Sequence, residues 1–364
     1  MPESVTVVIA VRNEESRIGP CLESILQFTG LEAVSWQVWV FDGASEDRTA
    51  KVIQDWGARE PRVRYFLNPM RRQAAALNQA LDAKPGEFLL WLGAHAEYPA
   101  DYLSLLLETA RRTSADIVGG VLETRVGGPG YGAAVVQALT THRFGVGGSG
   151  FRTGAEEGPA DTVPFALYRR SVFERAGRFD ERLVRAQDYE FNRRAIAAGA
   201  KVWLNPAIVS AYYNQASFWG FLIKQLRWEA PYNAYMWYLA PYAFAPRHAI
   251  TGVFALGVIG GAALTPHWPW IGWGFGAAMV LYATLAIVAG AQQAARYRDP
   301  RHILVLPFAF FLFHFLHGVG VLAGLLRLLT GTAPVQSIRE PWPGAGRFRA
   351  WPPLPQATPD DAGR

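Results

Sequence analysis

His95 and Glu97 closely follow a short apolar run, Phe88-Leu-Leu-Trp-Leu92. The run is too short for a helix and lies between Pro85-Gly86 and Pro99, which is typical of a buried parallel strand. Ligands of open α/β sheets bind at the carboxyl ends of the strands. An imidazole and a carboxylate at this position are therefore able to meet a substrate or a divalent cation. The alternative interpretation is a strand-to-helix turn in which both side chains are solvated.

Several strand-and-helix units must position these side chains. The apolar runs predict four strands, at Val5–Val11, Val38–Phe41, Val63–Leu67 and Phe88–Leu92. Apolar residues at helical spacing predict the helices between them, over Ile18–Leu26, Val52–Trp56 and Ala74–Leu81. Such βα units in succession predict a parallel, doubly wound sheet with right-handed crossovers. A further strand is predicted at Asp116–Gly120.

Polar side chains follow the first two strands. Arg12, Asn13 and Glu14 come after the first strand, and Asp42 and Ser45 come at the end of the second. A carboxylate at a strand end is able to bind a base or a ribose, although Asp42 followed by glycine is also a common tight turn. The first strand is not followed by Gly-x-Gly-x-x-Gly or a Walker loop, which argues against a dinucleotide or P-loop enzyme.

Composition limits the partners and the compartment. The chain has 364 residues with 35 basic and 30 acidic side chains, and it contains no basic run, so no nucleic-acid partner is expected. Its second half is rich in Trp and Phe, which favours a membrane partner. The single Cys21 suits a reducing compartment. Because Met1-Pro-Glu-Ser-Val5 leads directly into a strand without a signal peptide, the N-terminal domain is expected in the cytoplasm.

Six segments, taken together, resemble one enzyme family. The stretch Val5–Glu15 and the stretch Asp42–Thr49 resemble the opening of family 2 glycosyltransferases, which have the GT-A fold. Further segments resemble later motifs of that family in the same order: Asn68–Asn78, Tyr168–Glu181, Ala186–Arg194 and Lys224–Trp228. With the apolar second half, Gly145–Arg152 is most similar to the succinoglycan-type branch, which extends lipid-linked exopolysaccharide precursors.

The resemblance implies both a fold and an activity. The expected fold class is α/β, a Rossmann-like GT-A domain with a mostly parallel sheet and helices on both faces, followed by C-terminal transmembrane helices. The expected activity is inverting transfer of a sugar from a nucleoside diphosphate sugar, a UDP-sugar first of all, to a polyprenyl-(pyro)phosphate-linked acceptor. Two alternatives remain: a polyprenyl-phosphate sugar synthase, or a non-catalytic membrane-anchored nucleotide-sugar or glycan binder.

Family logic also assigns roles to single residues. Asp188 matches the general base, and the alternative interpretation is a simple helix N-cap. The nucleotide sugar is expected to contact Val11, Arg12, Asn13, Glu14, Asp42, Ser45, Gln73, Gly93, Ala94, Arg227 and Trp228. The acceptor is expected to contact Gly148, Ser149, Arg152 and Gln187. The glycines from Gly145 to Gly154 form either a surface loop or a segment that approaches the sugar closely.

The sequence departs from the family pattern at two positions. The Asp-x-Asp metal motif falls on Gly93-Ala94-His95, so its first aspartate is absent. His95 then becomes the expected metal ligand, assisted by Glu97, and the cofactor is Mn²⁺ or Mg²⁺. Imidazole favours Mn²⁺ over Mg²⁺. The second departure is Gln187, which replaces the glutamate that precedes the base.

Long apolar segments dominate the second half. They cover Ala249–Leu264, Trp270–Ala291 and Ile303–Leu326, against about 20 residues needed to cross a bilayer. The expected domains are a catalytic domain over 1–230, an interfacial aromatic segment over 231–248, a membrane domain over 249–327 and a loosely ordered tail over 328–364. Arginines around the first two segments predict a multi-pass protein of the inner or plasma membrane with its catalytic domain in the cytoplasm. His314 and His317 share one helical face, where they contact either a lipid pyrophosphate or a neighbouring helix.

Overall fold

The protein is described by a computed structural model over residues 3–336. These residues form two compact units, the first with residues 3–122 and 155–212 and the second with residues 123–154 and 213–336. This division differs from the predicted domain boundaries at residues 230 and 248, because 123–154 and 213–230 group with the apolar helices. Most of the tail predicted at 328–364 lies outside the described residues.

One mixed sheet of nine strands builds the first unit. The strands are β1 Glu3–Val11, β2 Val34–Asp42, β3 Val63–Leu67, β4 Phe88–Leu92, β5 Ala96–Glu97, β6 Ile117–Arg125, β7 Gly158–Pro159, β8 Leu167–Arg169 and β9 Val202–Tyr213. Their order is β3-β2-β1-β4-β8-β6-β9-β5, with β7 also paired to β9. The strands β1 to β4 are parallel, as predicted. By contrast, β8 is antiparallel to β4 and to β6, and β5 is antiparallel to β9.

The helices fall into both units. Those of the first unit are α1 Ile18–Leu26, α2 Thr49–Arg59, α3 Gln73–Asp82, α4 Tyr102–Thr113, α8 Ser171–Ala176 and α9 Gln187–Ala197. Those of the second unit are α5 Tyr131–Thr140, α6 Arg143–Val146, α7 Gly150–Thr153, α10 Phe218–Lys224, α11 Ala230–Leu239, α12 Pro246–Leu264, α13 Pro269–Tyr297 and α14 Arg301–Leu329.

The central strands are covered on both faces. Every residue of β4 is buried, as an apolar run without polar alternation requires. On one face, residues of α1 and α4 complete a single apolar core with β1, β2 and β4. On the other face, the ring of Trp91 in β4 meets Phe179 edge-on, with the ring centroids 5.5 Å apart. Phe179 in turn packs against Phe173 of α8 and Phe191 of α9. The expected α/β class with helices on both faces is therefore confirmed.

Three helices of the second unit are long and apolar enough to cross a membrane by length and composition, namely α12, α13 and α14. They contain the three predicted apolar segments. Helix α5 packs on this group, where Leu139 shares a buried apolar cluster with Phe310 of α14. A π-helical segment, Gln225–Glu229, lies between α10 and α11.

Candidate functional site

The loops after β1 and β2 are held together by side-chain hydrogen bonds. Asn13 donates from its backbone N–H to Ser45 Oγ at 2.9 Å, and its side-chain oxygen accepts from the Glu46 N–H at 2.9 Å. The Gly43 N–H donates to the carbonyl of Val11 at 2.8 Å. Parallel pairing of Val11 with Asp42 brings the two strand ends side by side. The predicted donor-binding residues of the two loops therefore lie together.

Asp42 is the buried carboxylate of this region, with 2% of its surface exposed. It accepts hydrogen bonds from the Ser45 hydroxyl at 2.5 Å, from the Ser45 N–H at 3.1 Å and from the Tyr65 hydroxyl at 3.3 Å. The pKa of Tyr65 is raised, first by burial and then by the charge of Asp42. Asp42 thus does more than form a turn, since it connects β2 to β3.

His95 contacts a carboxylate, but it is Glu14 that makes this contact. The distance from His95 Nε2 to Glu14 Oε1 is 2.7 Å, and the two side chains are 53% and 18% exposed. Glu14 was expected to contact the nucleotide, and Glu97 was expected to assist His95. Within residues 3–336, no three His, Cys, Asp or Glu side chains converge as they would in a preformed metal site. The predicted metal pair of His95 and Glu97 stays a prediction.

Gly93 is partly buried, with its backbone groups hydrogen-bonded and an aromatic ring close to its Cα. The Tyr98 hydroxyl accepts from the Gly93 N–H at 2.8 Å and donates to its carbonyl at 3.0 Å. The Cys21 thiol also points to that carbonyl, at 3.6 Å. A Cβ added to Gly93 would lie 2.8 Å from Cε1 of Phe165, closer than real Cβ atoms come to a ring. The missing aspartate therefore has no room beside Phe165.

The surroundings of Gly93 are apolar and carry two nearby negative charges. Burial, and after it the charges of Glu97 and Glu14, together raise the pKa of Cys21 to about 12. Burial also raises the pKa of Tyr98 well above its ordinary value. Both groups stay protonated at neutral pH and act as hydrogen-bond donors to the Gly93 carbonyl. They fix the backbone just before Ala94, which is itself buried.

Asp188 is the second residue of α9, and the helix N-cap is Ala186, which has no side-chain cap. The interpretation of Asp188 as an N-cap is therefore wrong. Asp188 is half-buried. Its charge contributes, after burial, to a raised pKa of the buried Tyr168. The backbone leading into α9 turns through a left-handed conformation at Ala186, with φ at 60°.

Gln187 and Gln73 are the first residues of α9 and α3, and their side chains meet. Gln187 Nε2 donates to Gln73 Oε1 at 2.7 Å. Gln187 is 5% exposed, and among the described residues its own Oε1 is buried without a hydrogen-bond partner. One of these residues was expected at the donor and the other at the acceptor. Their contact brings the two predicted subsites together beside Asp188.

The loop before α9 is braced by residues that had not been identified from the sequence. Asn78 donates to Oε1 of Glu181 at 2.7 Å, and Arg72 donates to the carbonyl of Glu181 at 2.9 Å. Glu190 and Arg194 form an ion pair at 2.7 Å with both side chains fully buried. Opposite charges four residues apart on one helix face were the available signal for that pair. The loop contacts join residues about a hundred positions apart and left no such signal.

Left-handed backbone conformations cluster at these loops. Five non-glycine residues in these loops have a positive φ: Asn13, Ala44, Arg71, Phe165 and Ala186. Each such residue costs of order 1 kcal/mol and persists only where its surroundings impose it. Strain of this kind is concentrated at functional sites, and these loops are where the sequence predicted the donor and acceptor to bind.

The remaining predicted site residues belong to the second unit. Arg227 and Trp228 lie in the π-helical segment, and Trp228 is 52% exposed. π-Helical turns occur frequently at functional sites. Ser149 precedes α7, and the Arg152 guanidinium lies 5.5 Å from the ring centre of Phe151. Gly148 has open space where a Cβ would stand. Their roles in donor and acceptor binding stay predictions.

The two histidines of α14 contact neighbouring helices. His314 Nδ1 lies 2.8 Å from the Tyr282 hydroxyl, and His317 Nδ1 lies 2.8 Å from the Thr251 hydroxyl. His317 Nε2 also lies 3.4 Å from the side chain of Asn233. These contacts agree with the second interpretation, a helix–helix contact.

Comparison with known proteins identifies the family. The profile of Glycosyl transferase family 2 matches residues 6–177. These residues form a family 2 glycosyltransferase domain. The match covers the strand-end loops, Gly93 to His95 and the start of the segment that leads to Asp188. The chain is thus a glycosyltransferase, as its motifs implied.

Two characterised relatives of this glycosyltransferase are similar over long stretches. It is 26% identical over 339 residues to the dolichyl N-acetyl-alpha-D-glucosaminyl phosphate 3-beta-D-2,3-diacetamido-2,3-dideoxy-beta-D-glucuronosyltransferase of Methanococcus voltae, covering 89% of this chain and 97% of that protein. It is 33% identical over 223 residues to the succinoglycan biosynthesis protein ExoA of Rhizobium meliloti, covering 59% of this chain and 66% of that protein. The similarity to the succinoglycan branch is therefore confirmed.

A solved structure shares the fold of this glycosyltransferase. The mannosyltransferase PcManGT of Pyrobaculum calidifontis, in complex with GDP-Man and Mn²⁺, superposes with a TM-score of 0.53 at 20% sequence identity. The match covers 89% of this chain and 86% of that one. The GT-A fold expected from the motifs is thereby confirmed.

Proposed function

We propose that this glycosyltransferase moves a sugar, with inversion, from a nucleoside diphosphate sugar to a polyprenyl-linked saccharide. The observation that carries the proposal is the contact between Gln73 and Gln187. It joins a residue expected at the donor to one expected at the acceptor over 2.7 Å. Asp188 is the next residue along α9. A general base is needed where the donor and the acceptor meet.

Asp188 is the proposed base. Its carboxylate takes the proton of the acceptor hydroxyl while that oxygen attacks the anomeric carbon from the face opposite the diphosphate. The base must be ionised at neutral pH, as an aspartate is unless it is deeply desolvated. Asp188 is only half-buried, and its place in the first turn of α9 favours the negative charge through the helix dipole.

The donor is proposed to lie along the ends of β1, β2 and β4. Asp42 is proposed to accept a hydrogen bond from a ribose hydroxyl beside its three described donors, the Ser45 N–H, the Ser45 hydroxyl and the Tyr65 hydroxyl. His95 would hold a divalent cation, which would supply positive charge against the negative charge that develops on the departing diphosphate.

The acceptor is proposed to be presented from a membrane. The Methanococcus relative acts on a dolichyl-linked sugar phosphate according to its name, and residues 3–336 of this chain include three helices that are long and apolar enough to cross a bilayer. We infer a multi-pass protein with its catalytic side in the cytoplasm. Arg247 at the start of α12 and Arg296 at the end of α13 support this orientation by the positive-inside rule.

The proposal is tested by sugar transfer in membranes that contain the full chain. Labelled UDP-sugars and GDP-sugars are supplied with a polyprenyl-linked saccharide extract, and label in the lipid fraction is measured for the wild type and Asp188→Asn. We expect transfer by the wild type alone. The sugar that mild acid releases from the lipid distinguishes the two products: a labelled oligosaccharide indicates a glycosidic bond to a lipid-linked saccharide, and a labelled monosaccharide indicates a polyprenyl-phosphate sugar. No transfer from any donor would favour a non-catalytic binder and would overturn the proposal.

A further inference from the structure

Glu14 is the carboxylate that faces the imidazole of His95. Its Oε1 lies 2.7 Å from His95 Nε2. The backbone of Glu14 is fixed, because its N–H donates to Thr49 Oγ1 at 2.7 Å and its carbonyl accepts from the N–H groups of Arg17 and Ile18, both at 2.9 Å. The carboxylate is therefore presented from a rigid loop at the end of β1.

Position 93 cannot provide a carboxylate in this fold. A Cβ on Gly93 would come within 2.8 Å of the Phe165 ring. Phe165 is itself held in place, since the Tyr102 hydroxyl donates to its carbonyl at 3.0 Å. The ring also meets Tyr98 edge-on at 5.6 Å between centroids. A carboxylate that serves the same cation must therefore come from a position other than 93.

The distance between the two side chains suits a shared ion. Two ligand atoms about 2.1 Å from one cation and at right angles to each other are about 3.0 Å apart. The observed 2.7 Å between His95 Nε2 and Glu14 Oε1 needs to open by only a few tenths of an ångström. Cations that act on phosphates take one or two protein ligands, with water and phosphate oxygens filling the other positions. A two-residue set therefore fits such an ion.

We propose that Glu14 and His95 together bind the divalent cation, with Glu14 supplying the carboxylate that position 93 cannot. The inference rests on the proposed function only where the donor diphosphate completes the coordination of the ion. An imidazole paired with one carboxylate favours Mn²⁺ over Mg²⁺. Glu14, which the sequence predicted as a nucleotide contact, is here assigned as a metal ligand. Glu97 is then not a ligand but a nearby carboxylate, and its charge helps to raise the pKa of Cys21.

The test measures Mn²⁺ binding directly, without turnover. Purified full-length protein in detergent is titrated with Mn²⁺, alone and with inorganic pyrophosphate, and the free hydrated ion is followed by electron paramagnetic resonance. Glu14→Gln keeps the size of the side chain and a hydrogen-bond acceptor for His95 but removes the charge. We expect it to weaken Mn²⁺ binding at least tenfold, as does His95→Ala, since loss of even an outer-shell partner costs about 10- to 100-fold.

Two further variants separate Glu14 from other carboxylates. Glu46→Gln changes an exposed carboxylate on the adjacent loop and should bind Mn²⁺ as the wild type does. Glu97→Gln distinguishes the two candidate partners of His95 and should change the affinity by less than twofold. Unfolding temperatures of all variants control for loss of structure.

Three outcomes would overturn the inference. Normal binding by Glu14→Gln together with weak binding by Glu97→Gln would make Glu97 the ligand. Normal binding by both variants would reduce the Glu14 contact to an ion pair. A wild type that binds no Mn²⁺ even with pyrophosphate would remove the site. By contrast, a protein that binds Mn²⁺ through Glu14 but transfers no sugar would refute the proposed function and leave this inference standing.

Discussion

The ring of Phe165 stands where a side chain at position 93 would have to begin, 2.8 Å from the place of its Cβ. Phe165 adopts a φ of 45°, and its backbone continues into Ala166, whose carbonyl accepts from the Trp91 N–H at 3.0 Å. The position of the Phe165 ring thus accounts for the glycine at position 93, where the metal motif of the family has an aspartate.

Gly93→Ala should lower stability, because the added methyl group overlaps Phe165. We expect a loss of about 1–3 kcal/mol, as for other overpacked sites, measured as a lower unfolding temperature in detergent. Gly158→Ala is the control, since open space surrounds that position. In the Phe165→Ala background the loss should disappear, giving a coupling of about 0.5–3 kcal/mol. Equal losses in both backgrounds would show that the Phe165 ring does not limit position 93.

Asp42→Ala should weaken nucleotide binding and leave the fold intact. A hydrogen bond to a charged group contributes about 1.5–3 kcal/mol, so we expect the affinity for a nucleoside diphosphate to fall about 10- to 100-fold by calorimetry. Ser45→Ala removes the 2.5 Å hydrogen bond to Asp42 but keeps the charge, and it should have the smaller effect. An unchanged affinity in Asp42→Ala would leave Asp42 with only its contact to the Ser45 loop and to Tyr65.

Asp188→Asn should fold normally and bind the donor as the wild type does, but it should lose turnover. Removing a general base costs about 10²- to 10⁴-fold in rate. Because the N-cap of α9 is Ala186, the amide should change the unfolding temperature little. Asp55→Asn, an exposed carboxylate beside Lys51, controls for charge and should transfer sugar normally. Near-normal transfer by Asp188→Asn would exclude Asp188 as the base.

Cys21 should resist alkylation in the folded protein. Burial raises the pKa of its thiol to about 12, so at pH 8 almost no reactive thiolate is present. Because the pKa in the folded state lies above the unfolded value, this group contributes stability below about pH 9 and loses it as the pH rises towards 12. Mass spectrometry after a maleimide pulse should find labelling only in denaturant. Rapid labelling without denaturant would mean that α1 opens readily.

Local patterns predicted the strands because burial on both faces leaves uninterrupted apolar runs. Val63–Leu67 and Phe88–Leu92 have the predicted bounds. The three apolar helices were predictable for a similar reason, since length and hydropathy suffice to identify them. The Asp42 loop and Asp188 were recognised because family motifs preserve residue order.

Contacts between distant residues were not predictable in this way. The Glu14–His95 pair spans 81 positions of the chain, and the Gln73–Gln187 pair spans 114. Neither leaves a periodic signal, because each partner looks like an ordinary loop or helix-start residue. The antiparallel β8 was missed since Leu167–Arg169 is only 3 residues long. Phe165 could not be connected with Gly93 without knowing how β8 pairs with β4.

Residues 123–154 interrupt the sheet-forming part of the chain and yet belong to the unit of apolar helices. The His142 imidazole pairs with Gln292, 150 positions further along. A ribosome that adds about 5–20 residues per second needs roughly 8–30 s to make that stretch. During this interval α5 has been synthesised while its partners on α13 and α14 have not. Protease digestion of chains stalled near residue 264 should cut within 123–154, and the complete chain should resist. Residues 123–154 are therefore expected to pack only after α13 and α14 have been synthesised.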